Sequence, residues 1–119
     1  MARIAVVDIS SALSPVLERG LAAAGHEPTV FGDAAKALRE LPSTAVDLLL
    51  VRVEADDPRG LEVCRRAKAD PALRDMPVVV ITAVGADGDL GRALAFGVDD
   101  YIAEPFAPRE LAWRVDLVL

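Results

Sequence analysis

The chain has 119 residues, 53% of them hydrophobic, and its 13 lysines and arginines against 19 aspartates and glutamates give a formal net charge of −6. This length suits one domain with a core held by packing, and the acidic balance argues against direct binding to nucleic acid. Cys64 is the only cysteine, which excludes an internal disulfide and fits a reducing compartment. The apolar runs are too short to span a membrane, so we expect one cytoplasmic domain over residues 1–119.

Short β-type runs alternate with segments of helical period, which is the pattern of βαβ units around a parallel sheet. The runs typical of strands lie at residues 3–8, 29–31, 46–52, 78–81 and 100–103. In the first helix, Ser10 or Ser11 is predicted to cap the start and Gly25 to mark the C-terminal stop. Asp33 is predicted to cap the second helix, and Pro108 suits the first position of the fifth.

The two middle helices are predicted from loop residues and apolar stripes. Pro58 and Gly60 indicate a loop before the third helix, and Cys64 lies on the apolar stripe of that helix as a small core residue. The fourth helix is predicted over residues 89–96, with a stop at Gly97.

Polar residues stand at or directly after the ends of four predicted strands. They are Asp8, Arg52, Thr82 and Glu104. The carboxyl ends of parallel strands lie side by side along one edge, where α/β folds bind ligands and do chemistry. The sequence therefore predicts that these four side chains share one site.

Seven strings of the sequence carry a family resemblance, at residues 6–8, 47–51, 60–66, 69–77, 81–83, 97–102 and 105–106. Together and in this order they resemble the receiver domain of two-component response regulators, over essentially the whole chain. The resemblance implies a flavodoxin-like α/β fold, a doubly wound (βα)5 parallel sheet with strand order 2-1-3-4-5. It also implies a signal transduction module and not an enzyme.

The chain departs from this family at the positions that carry its chemistry. Family members hold Mg²⁺ with an acidic pair after the first strand, accept a phosphoryl group on an aspartate after the third, and keep a lysine after the fifth. Here Ile9 replaces the second acid, Arg52 the acceptor and Glu104 the lysine, while Asp8 and Thr82 remain. We therefore predict a pseudo-receiver that is not phosphorylated at the usual site and binds no metal or cofactor.

Arg52 has two possible roles at this edge. Its guanidinium has five donors and is always charged, so we predict that it bridges Asp8 and Glu104 as a permanent internal cation. The alternative is an arginine that extends into solvent from a degraded pocket. Thr82 and Tyr101 match the family's switch residues, whose states only this cluster or a bound protein would then bias.

A second part of the resemblance concerns the last strand and helix. Asp99, Asp100, Glu110 and Arg114 resemble the charged residues through which receivers fused to winged-helix DNA-binding domains form dimers. Trp113 is the only tryptophan, and an exposed tryptophan is a common interface anchor. This implies a homodimer or a contact with a fused or separate effector domain. A solvated helix surface is the alternative.

Weaker signals point to no further chemistry. Asp56 and Asp57 are interpreted as solvated loop acids and not as substitute acceptors. Gly85, Gly88 and Gly91 lack the strand-to-helix context of a dinucleotide motif and indicate a mobile loop. The sequence favours a signalling module that acts through protein contacts. The alternative is a flavodoxin-like domain that binds a small molecule in the degenerate pocket.

Overall fold

Five strands and five helices alternate along the chain in a computed structural model that describes residues 1–119. The strands are β1 (Arg3–Val7), β2 (Glu27–Phe31), β3 (Leu48–Val53), β4 (Val78–Thr82) and β5 (Asp100–Ala103). The helices are α1 (Ser14–Ala23), α2 (Ala34–Glu40), α3 (Arg59–Ala69), α4 (Asp87–Ala95) and α5 (Pro108–Val118), with one 3-10 turn at Leu41–Ser43. None of the helices is long and apolar enough to cross a bilayer.

The strands form one parallel sheet in the order β2-β1-β3-β4-β5, which confirms the predicted flavodoxin-like topology. Its register aligns the strand ends that carry the polar residues. Val53 of β3 lies beside Thr82 of β4, which in turn lies beside Ala103 of β5. The Glu104 amide then donates to the Thr82 carbonyl at 2.9 Å. The carboxyl edge of the sheet is thus held by backbone hydrogen bonds up to the last residue of the predicted site.

Apolar side chains cover both faces of the sheet, because successive strand residues point to opposite sides. Val80 of β4 packs in the layer that contains Cys64 of α3, and the next residue, Ile81, packs with Leu17 of α1 and Leu111 of α5. Burial raises the pKa of the Cys64 thiol to about 12. The interpretation of this cysteine as a core residue is confirmed by its complete burial.

The predicted cap of α1 is wrong. The helix begins at Ser14, and neither Ser10 nor Ser11 caps it. The buried carboxylate of Asp8 performs that role, since its Oδ2 accepts a hydrogen bond from the Leu13 amide at 2.9 Å. A residue predicted only as a site residue therefore also secures the start of the first helix.

Two other boundaries differ from the prediction, while the cap of α2 is confirmed by the hydrogen bonds of the Asp33 side chain. Gly60 lies in the first turn of α3 and not in the preceding loop. A Cβ atom there would lie 2.8 Å from the Arg52 carbonyl oxygen, so the close approach of α3 to β3 requires glycine. The fourth helix starts two residues early, at Asp87, and Gly97 follows its end with a φ of 94°.

Candidate functional site

The carboxyl edge of the sheet brings Asp8, Arg52 and Glu104 together. Asp8 follows β1 directly, Arg52 is the penultimate residue of β3, and Glu104 follows β5 directly. Only 10% of the Arg52 side chain is exposed, and the Asp8 side chain is fully buried. The arginine thus lies within the site and does not extend into solvent.

Arg52 and Glu104 form a paired ion contact. The Arg52 Nε donates to Oε2 of Glu104 at 2.7 Å, and Nη2 donates to Oε1 at 3.2 Å. Two parallel N–H···O bonds of this kind are stronger and more directional than a single contact. The hydrogen bond to Glu104 raises the pKa of the Arg52 guanidinium above its ordinary value, and the charges of Glu54 and Asp8 raise it further.

Glu54 is a third carboxylate at this site and was not among the site residues predicted from the sequence. Its Oε1 accepts a hydrogen bond from Nη1 of Arg52 at 2.5 Å, and 33% of its side chain remains exposed. The missed signal is the spacing of two residues, which places side chains on the same side of an extended chain. With Asp8 and Glu104, three carboxylates surround one guanidinium, so the cluster carries a formal charge of −2.

Asp8 contacts the arginine more loosely. Its Oδ1 lies 3.7 Å from Nη1 of Arg52, which is an ion pair without a direct hydrogen bond. Ser10 connects the two groups, because its hydroxyl accepts from Nη1 at 3.1 Å and donates to Oδ1 of Asp8 at 3.4 Å. The other Asp8 oxygen accepts from the Leu13 amide and the Ser14 hydroxyl. Both carboxylate oxygens of Asp8 therefore already accept hydrogen bonds within the chain.

These side chains do not fit the Mg²⁺ ion that the family binds. Magnesium requires near-octahedral oxygen coordination, and no three His, Cys, Asp or Glu side chains are placed to hold a metal ion. Ile9 stands where a second acid would be and packs against the core, while the Arg52 guanidinium lies beside the remaining acid. The positive charge at this edge belongs to the protein itself.

The two residues that match the family's switch form no hydrogen bond with the arginine. Thr82 is buried at the end of β4, and Tyr101 is exposed on the edge strand β5. The Arg52 guanidinium donates to Ser10, Glu54 and Glu104, and to neither Thr82 nor Tyr101.

Three of the charged residues predicted for an interface have partners inside the chain. Asp99 accepts from the Lys68 ammonium group at 2.8 Å and from the amide that begins β4 at 2.7 Å. Arg114 lies 3.4 Å from both carboxylate oxygens of Asp100. These contacts connect α3 to the start of β5 and α5 to β5. The charges therefore form contacts within the folded chain in the absence of a partner.

Glu110 and Trp113 complete the predicted interface set and lie about one turn apart on α5. Glu110 is partly buried in the first turn of the helix. Trp113 is 62% exposed, with the guanidinium of Arg109 at 5.9 Å from its ring centroid. The tryptophan is therefore accessible to a partner.

Besides Glu54, the loop after β3 contains one acid in an ion pair and one acid without a partner. Asp57 forms an ion pair with Arg59 at 2.7 Å, and this contact lowers the pKa of the Asp57 carboxyl. Only 24% of the Asp57 side chain is exposed, so the interpretation as a solvated loop acid does not hold for Asp57. Asp56 is exposed and has a positive φ of 62°. Neither the Asp56 nor the Asp57 carboxylate pairs with the Arg52 guanidinium.

His26 ties the turn after α1 to two distant parts of the chain. Its Nδ1 accepts a hydrogen bond from the Ala2 amide at 3.1 Å, and its Nε2 lies 3.0 Å from Oδ1 of Asp116 in α5. The first contact leaves Nε2 to carry the ring proton and to donate it to the aspartate. This pair anchors the last turn of α5 to the opposite edge of the sheet from Arg52.

Comparisons with known proteins agree with this architecture. The family model of the response regulator receiver domain matches residues 4–116. The phosphate regulon transcriptional regulatory protein PhoB of Rhizobium meliloti is 35% identical over 117 residues, which cover 98% of this chain and 52% of that protein. The chain thus spans about half the length of this curated relative.

Two solved receiver domains have the same fold. The signal receiver domain of a histidine kinase from Syntrophus aciditrophicus has a TM-score of 0.87 and 29% identity, and the match covers all of this chain and 90% of that one. The receiver domain of a sensor histidine kinase from Pseudomonas aeruginosa, with magnesium in its active-site cleft, has a TM-score of 0.86 and 26% identity over 98% and 96% of the two chains.

Proposed function

This chain belongs to the response regulator receiver family, and from that premise we propose that it is a pseudo-receiver, a signalling domain that works without phosphorylation at the end of β3. The observation that supports this proposal is the Arg52 guanidinium, which donates two hydrogen bonds to Glu104 and lies where the family has its acceptor aspartate. A guanidinium cannot accept a phosphoryl group.

Arg52 also supplies the positive charge that a metal ion supplies elsewhere in the family. The related domain from Pseudomonas aeruginosa has a magnesium ion in its active-site cleft. A bound ion can leave, and its binding shifts a conformational equilibrium by its differential affinity for the two states. The guanidinium is covalently attached and so cannot leave. Its raised pKa keeps it positively charged at every physiological pH. The cluster therefore supports one constant state in place of a phosphorylation-dependent pair of states.

The domain is proposed to act on an effector through protein contacts. The name of the relative from Rhizobium meliloti describes a transcriptional regulator, of which the matched region is about half. A net charge of −6 argues that this domain itself does not touch DNA. Its contribution to such a regulator would be to hold or orient a partner, which is either a fused effector domain or a separate protein.

Treatment with acetyl phosphate or beryllofluoride in the presence of Mg²⁺ tests the proposal. The intact mass, the Trp113 fluorescence and the amide NMR spectrum are expected to stay unchanged, because the acceptor and one metal-binding acid are missing. The matched control is the triple variant Ile9→Asp, Arg52→Asp, Glu104→Lys, which restores the family's charge order and is expected to respond. A phosphorylated species of the unmodified chain that maps to Asp8, Asp56 or Asp57 would overturn the proposal.

A further inference from the structure

The side of α5 that faces away from the sheet carries large apolar side chains with no cover. Leu111 and Val115 are buried against the sheet, whereas Trp113 is 62% and Leu117 is 80% exposed. At 3.6 residues per turn, the positions opposite the buried side form a single stripe. We call this stripe the outer α5 face, and its members are Arg109, Trp113, Asp116 and Leu117.

The two charges of the outer α5 face lie at its opposite ends. Arg109 forms no ion pair within the chain, and its guanidinium lies 5.9 Å from the centroid of the Trp113 ring. Asp116 uses Oδ1 to contact His26, yet its side chain remains exposed. The face therefore presents a positive end, an apolar centre and a negative end.

These charges are placed symmetrically about the tryptophan. Arg109 and Asp116 are seven residues apart, which is about 10.5 Å along the helix axis. Their midpoint falls within about 1 Å of the level of Trp113. An antiparallel copy of the helix, related by a two-fold axis through this midpoint, would place each Arg109 opposite the other Asp116 and bring the two tryptophans together. A parallel copy would place like charges opposite each other.

We propose that a second copy of this chain binds the outer α5 face through antiparallel pairing of the two helices. The inference rests on the proposed function in one respect, since it names a partner for a domain that acts through protein contacts. The same surface patch on both copies makes the contact isologous, which is the arrangement of a closed dimer. Asp99, Asp100 and Arg114 form ion pairs with each other or with Lys68 and are not members of the outer α5 face.

The dimer is expected to be weak. A contact centred on one helix of 11 residues buries less than the roughly 1,600 Å² of a standard interface. Most of the binding energy is expected to come from the central tryptophan, because aromatic anchors dominate interfaces of this kind. We expect a dissociation constant on the order of tens to hundreds of micromolar.

Sedimentation velocity of the whole 119-residue chain over a range of concentrations tests the inference. Association is expected for the unmodified chain, and Trp113→Ala and Arg109→Glu are each expected to weaken it about tenfold or more. Asp116→Arg alone should also weaken it. The combination of Arg109→Glu with Asp116→Arg should restore association, because it exchanges the charges at the two ends of the outer α5 face and keeps them complementary. Thermal unfolding of each variant separates lost association from lost folding.

Three results would overturn the inference. The first is an unmodified chain that stays monomeric at several hundred micromolar. The second is a charge exchange that fails to restore association in folded variants. The third is loss of association on Arg114→Glu with none on Arg109→Glu, which would assign the contact to the neighbouring charged side of α5. None of these results bears on phosphorylation at the end of β3, so the proposed function would stand or fall separately.

Discussion

The carboxyl edge of the sheet and the outer α5 face differ in how far their side chains are buried and paired. At the carboxyl edge, Arg52 is 10% exposed and its guanidinium is surrounded by carboxylates of the same chain. At the outer α5 face, Trp113 and Leu117 are exposed and Arg109 has no acidic partner. The edge where the family does its chemistry is filled by side chains of the protein itself, and the exposed apolar side chains of α5 lie elsewhere.

This difference has energetic consequences. Removing one member of a buried ion cluster leaves the other charges desolvated and unpaired, which is strongly destabilising. Removing an exposed side chain that packs against nothing usually changes stability very little. Substitutions at the two regions should therefore separate stability from association.

The largest effect is expected for Arg52→Ala. This change leaves Asp8, Glu54 and Glu104 close together with no cation, so the free energy of unfolding should fall by about 2–4 kcal/mol. Urea unfolding at neutral pH measures it. The matched control is Arg92→Ala, an exposed arginine with one weak ion contact at 3.9 Å. If both variants lost the same small amount, the carboxyl edge would be as loosely held as the surface.

A smaller effect is expected for Glu54→Gln. The amide oxygen can still accept from Nη1 of Arg52, and the side chain is 33% exposed, so the loss should be under about 1 kcal/mol. The same urea experiment measures it. A loss as large as that of Arg52→Ala would mean that Glu54, and not Glu104, is the main anchor of the arginine.

The smallest effect on folding is expected for Trp113→Ala. Because 62% of the residue is exposed, the free energy of unfolding of the monomer should change by no more than about 0.5 kcal/mol. Unfolding must be followed at low micromolar concentration, where the proposed dimer is dissociated. A loss well above 1 kcal/mol would show that the tryptophan packs within the monomer, and the contrast between the two regions would then be wrong.

Much of the carboxyl edge could be predicted from the strand pattern. Arg52 and Glu104 end or follow apolar runs, and parallel strands align their carboxyl ends, so their proximity follows from the topology. Glu54 was missed because β3 extends one residue past its predicted end, to Val53. Because the backbone stays extended through Val53, the Glu54 side chain lies on the same side as that of Arg52.

Other features depend on burial that a strand pattern does not report. Asp8 caps α1 because the helix begins directly over its carboxylate, which displaces the predicted serine caps. Ser10 is used instead between Asp8 and Arg52. Likewise, the pairing of Arg114 with Asp100 depends on how α5 packs beside β5. The roles of Thr82 and Tyr101 as switch residues stay predictions.

A double-mutant cycle between Arg52 and Glu104 tests the central claim most directly. Arg52→Ala, Glu104→Ala and the double variant are compared by urea unfolding, which isolates the coupling free energy of the pair. Two charge-assisted hydrogen bonds at 2.7 and 3.2 Å predict a favourable coupling of about 1.5–3 kcal/mol. Coupling indistinguishable from zero would contradict the account, because the arginine would then not be a fixed internal cation at the end of β3.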